Sequence, residues 1–144
     1  MKIKNESSFV EFEFTDFVDF RHDVACRIKV FCDGFSGTIN SVWFSEQDIK
    51  SFIGQIEELN RTRKGSAELL NMGSLTDTNE LEFIIFSTDS LGHLAIRATL
   101  QKIFYLPHSA DFHAFEILKT SVAFEIDSGS LTTITSDFKN LFMM

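Results

Sequence analysis

The sequence predicts an α+β fold: an antiparallel sheet of about six or seven strands with two amphipathic helices packed on it. Three observations carry this reading. Apolar and polar residues alternate with a period of two over most of the chain. Two segments show helical periodicity instead. The strands follow one another through short turns, without the strand–helix–strand rhythm of a parallel sheet. The 144 residues suit a single domain, 1–144. At 44% hydrophobic content the chain can build a core without disulfides or metal.

The elements follow in order. FVEFEF, Phe9–Phe14, places Val10, Phe12 and Phe14 on one face and Glu11 and Glu13 on the other. VACRIKVFC places Val24, Cys26, Ile28, Val30 and Cys32 on one face, with Arg27 and Lys29 opposite. After a turn comes a third strand, TINSVWF. SEQDIKSFIGQIEELNRTRKG is the stronger helix. Ser45 suits the N-cap, Glu46 and Asp48 place acid in the first turn, and Gly65 can stop it. Its stripe is Ile49, Phe52, Ile53, Ile56 and Leu59.

The second half returns to strands: Ala67–Leu70, Glu80–Phe86, Gly92–Tyr105 and a long segment, FHAFEILKTSVAFEI. The last puts Leu118, Thr120, Val122, Phe124 and Ile126 on one face, and its length predicts a bulge near Lys119–Ser121. In the closing helix Ser130 serves as cap, and Ile134, Phe138, Leu141 and Phe142 share a face. Threonines at 132, 133 and 135 lower its intrinsic propensity, so docking must hold it.

Asp33-Gly34-Phe35-Ser36 between two strands reads as a hairpin turn. A phosphate loop would lead from a strand into a helix instead. A two-residue turn at Gly34-Phe35 sets Cys32 opposite Gly37 and Cys26 opposite Trp43. The core face is then Cys26, Ile28, Val30, Ile39 and Trp43. A one-residue slip would put Val42 and Phe44 inside and Trp43 outside.

Composition narrows the function. Seventeen phenylalanines against one tyrosine predict an aromatic-rich core without polar handles. A net charge of −8 disfavours nucleic-acid binding and suits a basic partner. Cys26 and Cys32, on one strand, lie about 20 Å apart at roughly 3.3 Å per residue, beyond disulfide reach. They read as buried thiols in a reducing compartment. MKIKNESSF has no apolar stretch of the signal-peptide kind, and no run approaches membrane-spanning length. A cytoplasmic protein that does not engage a membrane is expected.

Catalytic and metal chemistry find little support. His108, Asp111 and His113 cluster near the turn at Pro107, but no fourth protein ligand accompanies them. A nucleophilic pair of Cys26 or Cys32 with His22 would need an exposed, electropositive thiolate, whereas alternation places the sulfurs inside. Ser128 and Ser130 around Gly129 lack the G-x-S-x-G pattern. No metal or cofactor is expected.

The run IKVFCDGFSGTINSVWFSEQDIKSFIGQIEEL resembles the WapI-type immunity proteins of bacteria. They share its alternating strand, its G-F-S-G turn, its second strand and its acidic-capped helix. AELL, LGHLAIRATL and VAFEIDSGSLTTITSDFKNLF resemble the later part of that pattern. The likeness covers roughly residues 24 to 142, with a longer stretch from Lys102 to Thr120 here. It implies a non-catalytic protein-binding module that blocks a toxin domain, often a nuclease. Candidate partner contacts are Phe31 and Phe35 at the hairpin and Glu46, Asp48, Glu57 and Glu58 on the helix. The alternatives are a small enzyme using histidines near Pro107, and a structural homo-oligomer subunit with surplus phenylalanine at a sheet edge.

Overall fold

The computed structural model describes residues 1–18, 23–72, 79–105 and 114–142. The chain runs β1 (Lys2–Lys4), β2 (Ser8–Val18), β3 (Asp23–Cys32), β4 (Phe35–Phe44), α1 (Glu46–Thr62), β5 (Ser66–Met72), β6 (Asn79–Ser87), β7 (Leu94–Tyr105), β8 (Ala114–Ile126) and α2 (Ser130–Leu141). The strands form two four-stranded antiparallel meanders, β1-β2-β3-β4 and β5-β6-β7-β8. The fold class is α+β with two helices, as expected, but a single sheet of six or seven strands is not what forms. The chain leaves β4 directly into α1 and starts a new ladder at β5, and no pairing joins those two strands. β1 went unforeseen because three residues are too few to show alternation.

Both sheets and both helices contribute to one core. At its centre four fully buried phenylalanines meet, one from each layer: Phe12 of β2, Phe83 of β6, Phe52 of α1 and Phe138 of α2. Their centroids lie 5.2 Å apart for Phe12–Phe83, 5.2 Å for Phe12–Phe138, 5.7 Å for Phe52–Phe83 and 5.0 Å for Phe52–Phe138. All four contacts are edge-on, the arrangement the ring quadrupole favours, and each adds roughly 0.5–1.5 kcal/mol beyond area burial. The excess of phenylalanine is therefore partly what joins two sheets that share no hydrogen-bonded ladder.

The hairpin register corrects the expected one. The turn residues are Asp33 and Gly34, both with positive φ (48° and 83°), as a type I′ turn requires. Cys32 then opposes Phe35, Val30 opposes Gly37 and Ile28 opposes Ile39. Between Ile39 and Val42 the β4 strand carries one extra residue, so Cys26 opposes Val42 and Trp43 pairs with Ala25. This bulge reverses the alternation. Ile39 faces inward before it, Val42 and Phe44 are buried after it, and Trp43 lies outside, 40% exposed. A second bulge, at Thr15 in β2, follows Phe14, which is 44% exposed rather than in the core.

Further corrections concern local signals overruled by context. β8 keeps an unbroken register through Lys119–Ser121, and its extra residue is Phe115 instead. Leu118, placed on the core face by alternation, is 51% exposed. α2 has Gly129 at its N-cap and no side-chain cap bond, so Ser130 opens the helix and does not cap it. α1 ends before Gly65: Arg63 takes the left-handed C-cap, φ 58°, and donates its N–H to Leu59. That strained conformation is held from outside. The Arg63 guanidinium donates to the Ser128 carbonyl at 3.0 Å. Its stem also crowds Gly92, where an added Cβ would come within 2.9 Å.

Candidate functional site

The two hairpin phenylalanines occupy opposite faces. Phe31 pairs with Phe9 across β2–β3, and their rings stack at 5.8 Å on the outer face. The Lys2 ammonium sits 3.7 Å from the Phe9 centroid, a cation–π contact that covers part of this pair. Phe35 shares the inner face of Cys32 and projects at the hairpin tip, 71% exposed. Phe31 and Phe35 therefore cannot present one continuous patch.

The four helical acids all sit on α1, and each already has a partner within the molecule. Glu46 pairs with Lys50 at 2.5 Å. Asp48 closes a capping box: it accepts from the Ser45 hydroxyl at 2.6 Å and backbone N–H at 3.2 Å, while its own N–H donates to Ser45 at 3.1 Å. Glu57 reaches across to Lys139 of α2 at 2.9 Å. Glu58 takes Arg61 through two bonds, at 2.6 and 3.0 Å, and the guanidinium hydrogen bond holds its carboxyl below the usual range. The helix thus carries acids whose field is largely answered locally.

Two of the strand acids, Glu13 and Glu82, follow the same pattern. Glu13 bridges Lys29 at 3.2 Å and Arg27 at 3.3 Å, and the Lys29 hydrogen bond depresses its pKa. Glu11 opposes Lys29 in the ladder, and Glu82 faces Arg97 at 3.6 Å. Burial raises the Glu80 pKa.

His22, His108, Asp111 and His113 lie outside the described residues, as does Asp77. Among the described residues, no three His, Cys, Asp or Glu side chains gather as a metal site would require. His93 contacts Asp89 at 2.5 Å in the β6–β7 turn, and that bond raises the imidazole pKa. Cys26 is fully buried, and burial pushes its thiol up to about 12, so it carries no thiolate at neutral pH. Cys32 is half-buried. It accepts from the Ser8 hydroxyl at 3.2 Å and points its own S–H toward the Ala123 carbonyl at 3.8 Å. No described helix is long and apolar enough to cross a membrane.

Two grooves were not legible in the chain. One, of about 510 Å³, runs between the helices, with Asn60, Thr132, Ser136 and Asn140 along the Glu57–Lys139 bridge. The other, of about 300 Å³, separates β4 from the β7–β8 ribbon. Ile39, Leu100 and Leu118 form its apolar lining and Lys102 and Lys119 its charged one. Within its lining β4 and β8 are near each other: a Cβ on Gly37 would lie 2.9 Å from the Thr120 hydroxyl oxygen. No sequence signal marks a space between two sheets; the run Ser36–Ser41 carries no charge, but only the strand order places it at a sheet edge.

A family profile described as "Immunity protein WapI-like family" matches residues 2–143. No curated protein matches the chain. Among solved structures, the CdiA-CT/CdiI toxin and immunity complex from Enterobacter cloacae is similar at 10% identity with a TM-score of 0.44. The match covers 91% of this chain and 99% of that chain.

Proposed function

This chain belongs to the WapI-like immunity protein family, and from that premise we propose that it binds a protein toxin domain and neutralises it without turnover, in the cytoplasm. The observation that carries the reading is the family match across residues 2–143, nearly the whole chain. The expected partner is a basic domain, such as a nuclease that must hold phosphates. A net charge of −8 supports that choice, because opposite net charge speeds encounter even where individual acids are paired.

The test is co-expression with the product of the adjacent gene, the expected toxin. Growth should be restored and the two chains should co-purify. A toxin that kills equally in the presence of this chain, with no complex formed, removes the reading. The charge argument is tested separately by association kinetics across a salt series. The on-rate should fall as salt rises, since fields are screened beyond about 8 Å at physiological ionic strength. A flat profile with tight binding would leave the toxin reading standing and assign recognition to apolar contacts.

A further inference from the structure

Four turns come together at one end of the molecule. The β1–β2 turn reaches β8 where the Asn5 side-chain amide donates to the Glu125 carbonyl at 3.4 Å. The β3–β4 turn reaches it two residues earlier, where the Cys32 thiol points at the Ala123 carbonyl at 3.8 Å. Leu94 pairs with Ile126, so the β6–β7 turn lies beside the turn that leads from β8 into α2. Among the described residues, the two most exposed large apolar side chains both occupy this end. Leu91 is 82% exposed in the β6–β7 turn and Phe35 is 71% exposed at the β3–β4 tip, and the next, Leu118, is at 51%. The backbone beneath each is fixed by its turn. Asp33 and Gly34 set the hairpin through their positive φ. Asp89 accepts from the Leu91 N–H at 2.8 Å and the His93 N–H at 3.2 Å. An apolar side chain presented on fixed backbone loses little freedom when a partner covers it, which is the design of an interface anchor.

The charge around these anchors is of one sign. Residues 5–7, 33–34, 88–93 and 127–129 carry one acid each and no lysine or arginine. Two of those acids are answered within the chain: Asp89 by His93, and Asp127 by the Gly129 N–H at 3.3 Å. Glu6 and Asp33 are exposed, and among the described residues no ion pair or side-chain hydrogen bond engages their carboxylates. The contrast is with α1, where Glu46, Asp48, Glu57 and Glu58 are all engaged. Arg63, which reaches this end from α1, is bonded to the Ser128 carbonyl at 3.0 Å. We propose that the toxin partner docks on this turn face. Phe35 and Leu91 enter apolar recesses of a basic surface, and its lysines or arginines meet Glu6 and Asp33. Ala123 and Ile126, beside the two anchor-bearing turns, are roughly 10 Å apart at about 3.3 Å per residue, so one interface of ordinary size spans both. The choice of occupant rests on charge complementarity: free carboxylates flank the anchors and call for a cationic surface. A second copy docked through the same face would set Glu6 and Asp33 against their own kind. This proposal rests on the immunity reading and names its contact surface.

The experiment is binding of the full chain to the product of the adjacent gene, with the melting temperature of each variant measured alongside. Phe35→Ala should weaken binding about tenfold or more, the usual loss when an interface anchor is truncated, and Leu91→Ala should weaken it several-fold. Melting temperatures should not change, because both side chains already face water. Glu6→Gln combined with Asp33→Asn, which keeps a residue suited to positive φ, should lower the on-rate and its salt dependence and leave the off-rate nearly unchanged. Glu57→Gln combined with Glu58→Gln should bind as the wild type does. Wild-type affinity in both alanine variants overturns the proposal and leaves the immunity reading intact. Binding lost only in the α1 variant also overturns it and moves the contact to the helix. An on-rate indifferent to the Glu6 and Asp33 changes overturns the basic surface as occupant. A wild-type chain that forms no complex and gives no protection from the toxin removes both readings.

Discussion

The two helices reach the same core by different means. α1 is specified by its own residues: a reciprocal capping box at Ser45 and Asp48, acid in its first turn, a Glu46–Lys50 pair one turn apart, and five buried apolar residues in one stripe. α2 shares the apolar stripe but lacks the cap and the acidic first turn. It starts at Gly129 without a side-chain cap, has no acid in its first turn, and carries three threonines. What holds it is tertiary. Phe138 lies among Phe12, Phe52 and Phe83, Phe142 packs edge-on against Phe44 at 6.2 Å, and Lys139 bridges to Glu57. One helix is written in its own sequence, and the other is a surface that folds onto a core already prepared. Helices of this length are marginal alone, so caps and docking are alternative ways to overcome a costly nucleus.

The largest expected effect breaks α2 at its anchor. Phe138→Ala should cost about 3–5 kcal/mol, because it opens a cavity beside three other rings. Leu141→Ala, at a half-buried position expected in the core, should cost clearly less in the same chemical denaturation series. Next comes the cap. Ser45→Ala should cost about 1 kcal/mol, the usual loss when an N-cap side chain is removed. Ser130→Ala should leave stability nearly unchanged, since no side chain caps α2. Equal losses in both variants would erase the distinction between the helices.

Isolated peptides sharpen the comparison without touching the protein. Circular dichroism of residues 45–65 should show measurable helicity, and residues 129–142 should show almost none. Acid provides the smallest effect. Hydrogen bonding to Arg61 holds the Glu58 carboxyl below its ordinary value of 4.5. Its contribution is therefore fully present above that value and lost as pH falls through the lowered one. The amides at the end of α1 should lose exchange protection in that acid window before the core opens. An unchanged α1 terminus through the window would mean the exposed pair contributes nothing.

The fold class, both helices, the α1 stripe and most strands could be read from the chain, because alternation and helical periodicity are local properties of neighbouring residues. The hairpin was visible too, yet its register was not. Asp33 and Gly34 both adopt positive φ, and the extra residue before Val42 silently exchanged the two faces of β4. A bulge leaves no compositional trace when the residues around it, Asn40 and Ser41, are polar and exposed. The division into two sheets was hidden for a related reason: alternation says that a strand has an inner face, but not which strand lies beside it.

The candidate site divides in the same way. Glu46, Asp48, Glu57 and Glu58 were recognisable as helical acids, but Lys139 stands 82 residues from the Glu57 it neutralises, a contact no local pattern encodes. Residue order alone thus determined which segments become strands and helices and, away from the bulges, most of the faces that turn inward, because those follow from backbone geometry and the removal of apolar surface from water. Only the packed structure decided which edges are covered, which acids are paired, and where a groove lies between Ile39 and Leu118. Each of those depends on two distant segments arriving at one place, and the chain carries no short-range signal for the meeting.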